Sequence, residues 1–140
     1  MRFATPDSRF GIPAAKLGLG YEYEGLAKLA RLVGPSRARD IMFSARFMPA
    51  REALDMGLIN FIEERDDIEG ACVSYAKTIA ENAPLTVKAA KAAINAWERG
   101  SRTEEVNAVR AMVDACFDSE DYREGRKAFA AKRKPEFKNR

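Results

Sequence analysis

Only two stretches of this 140-residue chain read as extended, Phe10–Pro13 and Leu58–Ile62. Neither is long enough to build a sheet core by itself, so both need partner strands from elsewhere. Pro13 closes the first stretch, because proline disfavours helix in the residue before it. Lys16–Gly20 reads as a glycine-punctuated loop or strand end. Almost everything else repeats its apolar residues at helical spacing. A chain of this length supports one domain-sized core, and with so little strand that core has to be mostly helical.

Helical periodicity organises the remainder. Leu26, Leu29, Ala30 and Val33 form one stripe, ended by Gly34. Pro35 suits a first helical position, and Ala38, Ile41, Met42 and Ala45 line the helix that follows. A short helix is expected from Pro49 through Met56, with Gly57 as its stop and Leu58–Ile62 as a strand. Beyond Arg65 only helices are expected. Ile68, Cys72, Tyr75, Ala76 and Ile79 make one stripe, with Asp66 and Asp67 placed to suit the positive end of a helix. Pro84 opens a second helix with Val87, Ala90, Ile94 and Trp97 facing inward, and Gly100 ends it. Thr103 reads as the N-cap of a helix carrying Val106, Val109, Val113 and Cys116. Ser119 reads as the N-cap of a last helix reaching about Ala131. The expected division is a mixed piece over 1–64 and a helical piece over 65–140.

Composition narrows the chemistry. With 46% apolar and 32% charged residues the chain is a folded globular one rather than a disordered one. No apolar run approaches the roughly 18 residues that span a bilayer, and no secretory leader is recognisable at Met1, so no membrane partner is expected. There is no histidine, which removes Ser-His-Asp and Cys-His mechanisms. Cys72 and Cys116 lie far apart on helical faces and read as core thiols of a cytoplasmic protein, with no metal site expected. Arg123–Arg140 holds eight basic and two acidic residues, a tail suited to an anion. Its Lys132–Lys134 run is too short, with Phe137 the only aromatic near it, for a nucleic-acid partner to be expected. Gly18, Gly20 and Gly25 do not make the dinucleotide fingerprint and read as turn glycines.

Four segments, in order, resemble the enoyl-CoA hydratase/isomerase (crotonase) family. FGIPAAKLGLG resembles the family's F-G-x-P-E-x-x-L-G, and LARLVGPSRARDIMFSAR resembles its paired helices around V-G-x-x-x-A. EALDMGLIN is similar to its E-A-x-x-x-G-L-V turn, and SEDYREGRKAFAAKRKPEF to its S-x-D-x-x-E-G-x-x-A-F-x-x-K-R-x-P-x-F ending. The likeness runs from about Arg9 to Phe137. It implies an α/β fold of the ClpP/crotonase-like type, of which this would be the C-terminal part only, mostly α-helical with two or three short strands. Residues 1–64 would be a remnant of the β-β-α core, and 65–140 a helical oligomerisation domain assembling a homo-oligomer, trimer or hexamer. The implied activity is on acyl-CoA thioesters, by water addition or a double-bond shift. Coenzyme A enters as part of the thioester substrate, with no permanently bound cofactor. The family polarises the thioester carbonyl with two backbone N–H groups.

The chain departs from the family in two ways. The resemblance places both oxyanion peptides upstream of the F-G-x-P segment, so the chain alone is expected to be inactive. Pro13 is followed by Ala14, where hydratases and many isomerases of the family carry a general acid/base glutamate. A methyl group cannot transfer a proton. Glu22 matches the position where the chlorobenzoyl-CoA dehalogenase branch carries a nucleophilic aspartate. It is the catalytic candidate, against a plain solvated loop carboxylate. Phe129 and Lys132 match positions that approach the adenine and phosphates of CoA, contacts that suit an aromatic ring and an ammonium. The competing readings are a core residue for Phe129 and a solvated basic face for Lys132. Two further functions stay open: a non-catalytic oligomerisation and CoA-contacting module, and a thioesterase or dehalogenase type of crotonase using Glu22.

Overall fold

The computed structural model describes residues 1–140. They fall into two compact units, Met1–Val73 and Ser74–Arg140. The first contains β1 (Phe3–Ala4), β2 (Arg9–Phe10), a 3-10 turn (Pro13–Leu17), α1 (Tyr23–Val33), α2 (Pro35–Ser44), β3 (Met48–Pro49), α3 (Ala50–Asp55) and β4 (Phe61–Ile62). Helix α4 (Ile68–Ala80) runs across the boundary. The mostly helical class holds, and the strands number four, each of two residues.

The strands pair over long distances in sequence. β1 lies parallel to β4 with Phe3 opposite Phe61, and those two rings stack at 4.6 Å. β2 lies antiparallel to β3 with Phe10 opposite Met48. Both expected strands are shorter than the sequence suggests. Pro13 starts the 3-10 turn, because its fixed φ suits a first helical position as well as it ends a strand. Leu58 and Ile59 both donate their amides to the Ala53 carbonyl and so complete the end of α3, leaving the strand to begin at Phe61. The core of this unit gathers Ala4, Val33, Ala38, Ile41, Met48, Ala50, Ala53, Met56 and Ile59, with Met48 wholly enclosed. Gly34, at φ +83°, turns the chain between α1 and α2, and Pro35 opens the second helix. That joint brings Val33, Ala38 and Ile41 into one core.

The second unit holds the end of α4, then α5 (Pro84–Glu98), α6 (Thr103–Asp118), α7 (Glu120–Ala130) and a tail to Arg140. Here the inward face of α5 differs from expectation. Val87, Ile94 and Trp97 are exposed, and the buried residues are Ala89 and Ala96, seven positions apart on one face. Small residues let α6 approach closely, whereas a hydrophobic stripe read from sequence is dominated by bulky side chains. Thr103 is the first residue of α6 rather than its cap, a place taken by Arg102 without a side-chain bond. Ser119 does cap α7: its Oγ accepts from the Tyr122 amide at 3.0 Å. Cys72 and Cys116 are unpaired and half-buried. No helix is long and apolar enough to cross a membrane.

Candidate functional site

In the first unit the loop after β2 is held by backbone contact. A Cβ on Gly11 would lie 2.6 Å from the Arg46 carbonyl oxygen, so only glycine lets the two segments approach. Arg46 is itself anchored. Its guanidinium bonds Asp40 Oδ2 at 2.5 Å and Glu52 Oε2 at 2.9 Å, and it makes a further short contact with Glu52 Oε1. These bonds hold the carboxyls of Asp40 and Glu52 below their ordinary range, and they raise the Arg46 guanidinium in turn.

This frame sets Ala14 in the 3-10 turn, 2% exposed, where its carbonyl accepts from Gly18 and from Leu19 at 3.1 Å. Gly18, at φ +64°, reverses the chain there. Leu17 at the end of this turn, Leu19 in the loop beyond it and Tyr23 at the start of α1 are all exposed. Glu22 sits at the N-cap of α1, exposed, and its backbone carbonyl accepts the Leu26 amide. Its carboxylate makes no capping bond.

Phe129 and Lys132 belong to the second unit and lie three residues apart at the end of α7. The Phe129 ring is 88% exposed, so the core reading of that residue fails within this chain. Lys132 has φ +52°, a left-handed conformation. Its amide donates to Phe129 O at 3.1 Å and the Arg133 amide donates to Ala128 O at 3.0 Å, which is how a helix closes on a left-handed residue. The Lys132 side chain is exposed and makes no ion pair within the chain.

From this reversal the tail runs back along α7, gripped by two carboxylates. Glu124 takes the Arg133 guanidinium on both oxygens, at 2.6 and 2.9 Å, and also accepts the Glu136 amide at 3.0 Å. The bond from Arg133, and then the one from the Glu136 amide, hold the Glu124 carboxyl down to about 2. Asp121, 2% exposed, accepts the Lys138 and Asn139 amides at 2.6 and 2.8 Å. A cleft of about 620 Å³ lies along this seam, lined by Asp121, Arg123, Glu124, Lys127, Arg133 and Lys138. In the sequence Glu124 stands only as one of the two acidic residues of the basic tail, and Asp121 carries no assigned role. Their i, i+3 spacing, which puts both on one helix face, is visible in the sequence, but the tail they hold is not. A second, apolar groove of about 410 Å³ is lined by Ala89, Ala90, Ala93, Val113, Phe117 and Tyr122. No three side chains of cysteine, aspartate and glutamate are grouped to hold a metal ion.

With these positions in place, likenesses to known proteins become informative. Residues 1–140 match the family described as Enoyl-CoA hydratase/isomerase. A short-chain-enoyl-CoA hydratase of Clostridium acetobutylicum is 38% identical over 144 residues, spanning 100% of this chain and 54% of that protein. A methylmalonyl-CoA decarboxylase of Escherichia coli K12 is 32% identical, spanning 96% of this chain and 52% of its own length. Among solved structures, an enoyl-CoA hydratase from Bacillus anthracis aligns with a TM-score of 0.87 at 27% identity, covering 99% of this chain and 54% of that one. The chain spans about half the length of the curated relatives it matches.

Proposed function

Because this chain belongs to the enoyl-CoA hydratase/isomerase family, we propose that it is the C-terminal part of an enzyme acting on acyl-CoA thioesters. The observation that carries the proposal is the family match across all 140 residues. Water addition and a double-bond shift are the reactions in view. Ala14 weighs between them. Adding water calls for one group to activate the water and another to protonate carbon, whereas shifting a double bond moves one proton that a single base can carry. With a methyl group at position 14, the shift asks less of the rest of the site. The C. acetobutylicum and E. coli relatives are named for different reactions on CoA thioesters, in keeping with a family whose shared element is the thioester rather than one acid/base pair.

Within that enzyme Phe129 and Lys132 contact the CoA moiety. An exposed ring suits adenine, and an ammonium without an internal partner suits phosphate. The exposed Val87, Ile94, Trp97 and Phe117 of the helical unit give apolar surface for self-association into a trimer or hexamer. The alternative is a thioesterase or dehalogenase type of crotonase using Glu22, favoured by an exposed carboxylate that is not spent on capping α1. The experiment is turnover of a panel of enoyl-CoA and acyl-CoA thioesters by a full-length enzyme containing this chain. Double-bond migration or hydration is expected. An enzyme that consumes no CoA thioester would overturn the proposal and leave a non-catalytic module.

A further inference from the structure

Lysine is an odd residue to find at the left-handed position that ends a helix. Glycine adopts that conformation without steric penalty, and a side chain with a Cβ does not. Lys132 nevertheless occupies it at φ +52°. Strain of this kind persists only where the surroundings over-determine it, and here they do. The reversal is tied on its helix side by the Lys132 and Arg133 amides bonding Phe129 O and Ala128 O. On its tail side Arg133 is held by both oxygens of Glu124, which also takes the Glu136 amide. Further along, buried Asp121 takes the Lys138 and Asn139 amides, and its own amide donates to Arg140 O at 3.0 Å. Phe137 lies over Gly125, where an added Cβ would come within 3.5 Å of the ring. None of these bonds uses the Lys132 ammonium. What the position gains from lysine over glycine is therefore an exposed cation, set three residues from an exposed aromatic ring.

We propose that Glu124 and Asp121 are positioning residues: by clamping the returning tail they hold Lys132 in its left-handed conformation and so present its ammonium, beside the Phe129 ring, to the phosphates of a CoA thioester. The proposal rests on Phe129 and Lys132 being CoA contacts. It adds that the contact is built by two carboxylates which never touch the ligand and which repel it if left unpaired. Arg133, by this account, is a clamp member rather than a phosphate ligand, because both of its terminal nitrogens are engaged by Glu124.

The test compares CoA with pantetheine, which lacks the nucleotide, as probes of the full-length enzyme containing this chain, by calorimetry together with thermal unfolding. Lys132→Gly is expected to weaken CoA about tenfold, as loss of a charged hydrogen bond does, to leave pantetheine affinity unchanged, and to raise or preserve the melting temperature. Glu124→Gln is expected to weaken CoA by about threefold or more with pantetheine unchanged. A purely structural defect would lower both affinities together. Arg133→Gln, which loosens the clamp and leaves Glu124 to the Glu136 amide, supplies the same readout if Glu124→Gln does not fold. If Lys132→Gly leaves CoA affinity intact, the contact itself is wrong. If Lys132→Gly weakens CoA while Glu124→Gln and Arg133→Gln do not, the contact stands and the positioning role is overturned. A lower melting temperature for Lys132→Gly contradicts the strain at that residue.

Discussion

Replacing Gly11 with alanine tests whether backbone contact sets the loop that carries Ala14. The new Cβ would sit 2.6 Å from the Arg46 carbonyl oxygen and 3.0 Å from Phe47 Cδ1. Since Cβ atoms essentially never approach closer than 3.0 Å, the two segments must part by about 0.4 Å. Neither has room to give. The residue before Gly11 pairs with Met48, which is fully enclosed, and Arg46 is tied to Asp40 and Glu52. Overpacking against a fixed backbone costs about 1–3 kcal/mol. Alanine recovers about 0.4–1 kcal/mol by restricting the unfolded chain, so the net loss is at most about 2.6 kcal/mol, whereas the difference from a glycine-to-alanine control without the clash keeps the full overpacking cost of about 1–3 kcal/mol. For a chain of this size that sets the melting temperature of Gly11→Ala roughly 3–12 °C below that of such a control. Gly20→Ala is the matched control, because a Cβ there meets nothing within 4 Å and the backbone is not left-handed. It should be neutral or slightly stabilising. Circular dichroism melts of both variants decide the matter. Equal melting temperatures would refute the contact as the reason for glycine.

Two other expectations concern charge and the remaining carboxylate. Glu124, Asp40 and Glu52 have carboxyl pKa values held below their ordinary range by Arg133 and Arg46, Glu124 down to about 2. Each contributes stability that is present above its ordinary carboxylate range and is lost as pH falls below it, for Glu124 through about 2. Melts across that window should show a declining midpoint, the decline should shrink in Arg133→Gln, and high salt should weaken it because these pairs are exposed. A midpoint independent of pH there would contradict the pairing. Glu22→Ala in a full-length enzyme containing this chain should leave double-bond migration unchanged, and loss of turnover with substrate binding intact would instead make Glu22 the catalytic acid.

What the sequence disclosed depended on the range of the interactions involved. The joint at Gly34 and Pro35 was legible because a left-handed glycine and a fixed proline φ are local properties. So was the Ser119 cap, which reaches only three residues along the chain. β1 was not legible: its two residues become a strand only through β4, 58 positions away. Nor was the buried face of α5, since Ala89 and Ala96 carry almost no hydrophobic signal yet are what close approach requires. At the site, Ala14 and the exposed Phe129 and Lys132 could be picked out as positions. The clamp made by Asp121 and Glu124 could not, because it exists only once the tail folds back over α7.

Incubating the 140-residue polypeptide by itself with crotonyl-CoA, and following loss of the conjugated enoyl thioester absorbance, probes most directly whether this is half of a site rather than a whole one. With Ala14 unable to exchange a proton and the chain spanning about half of its relatives, no turnover above buffer is expected. Hydration or isomerisation by the polypeptide alone, abolished by a substitution within it, would contradict that outcome.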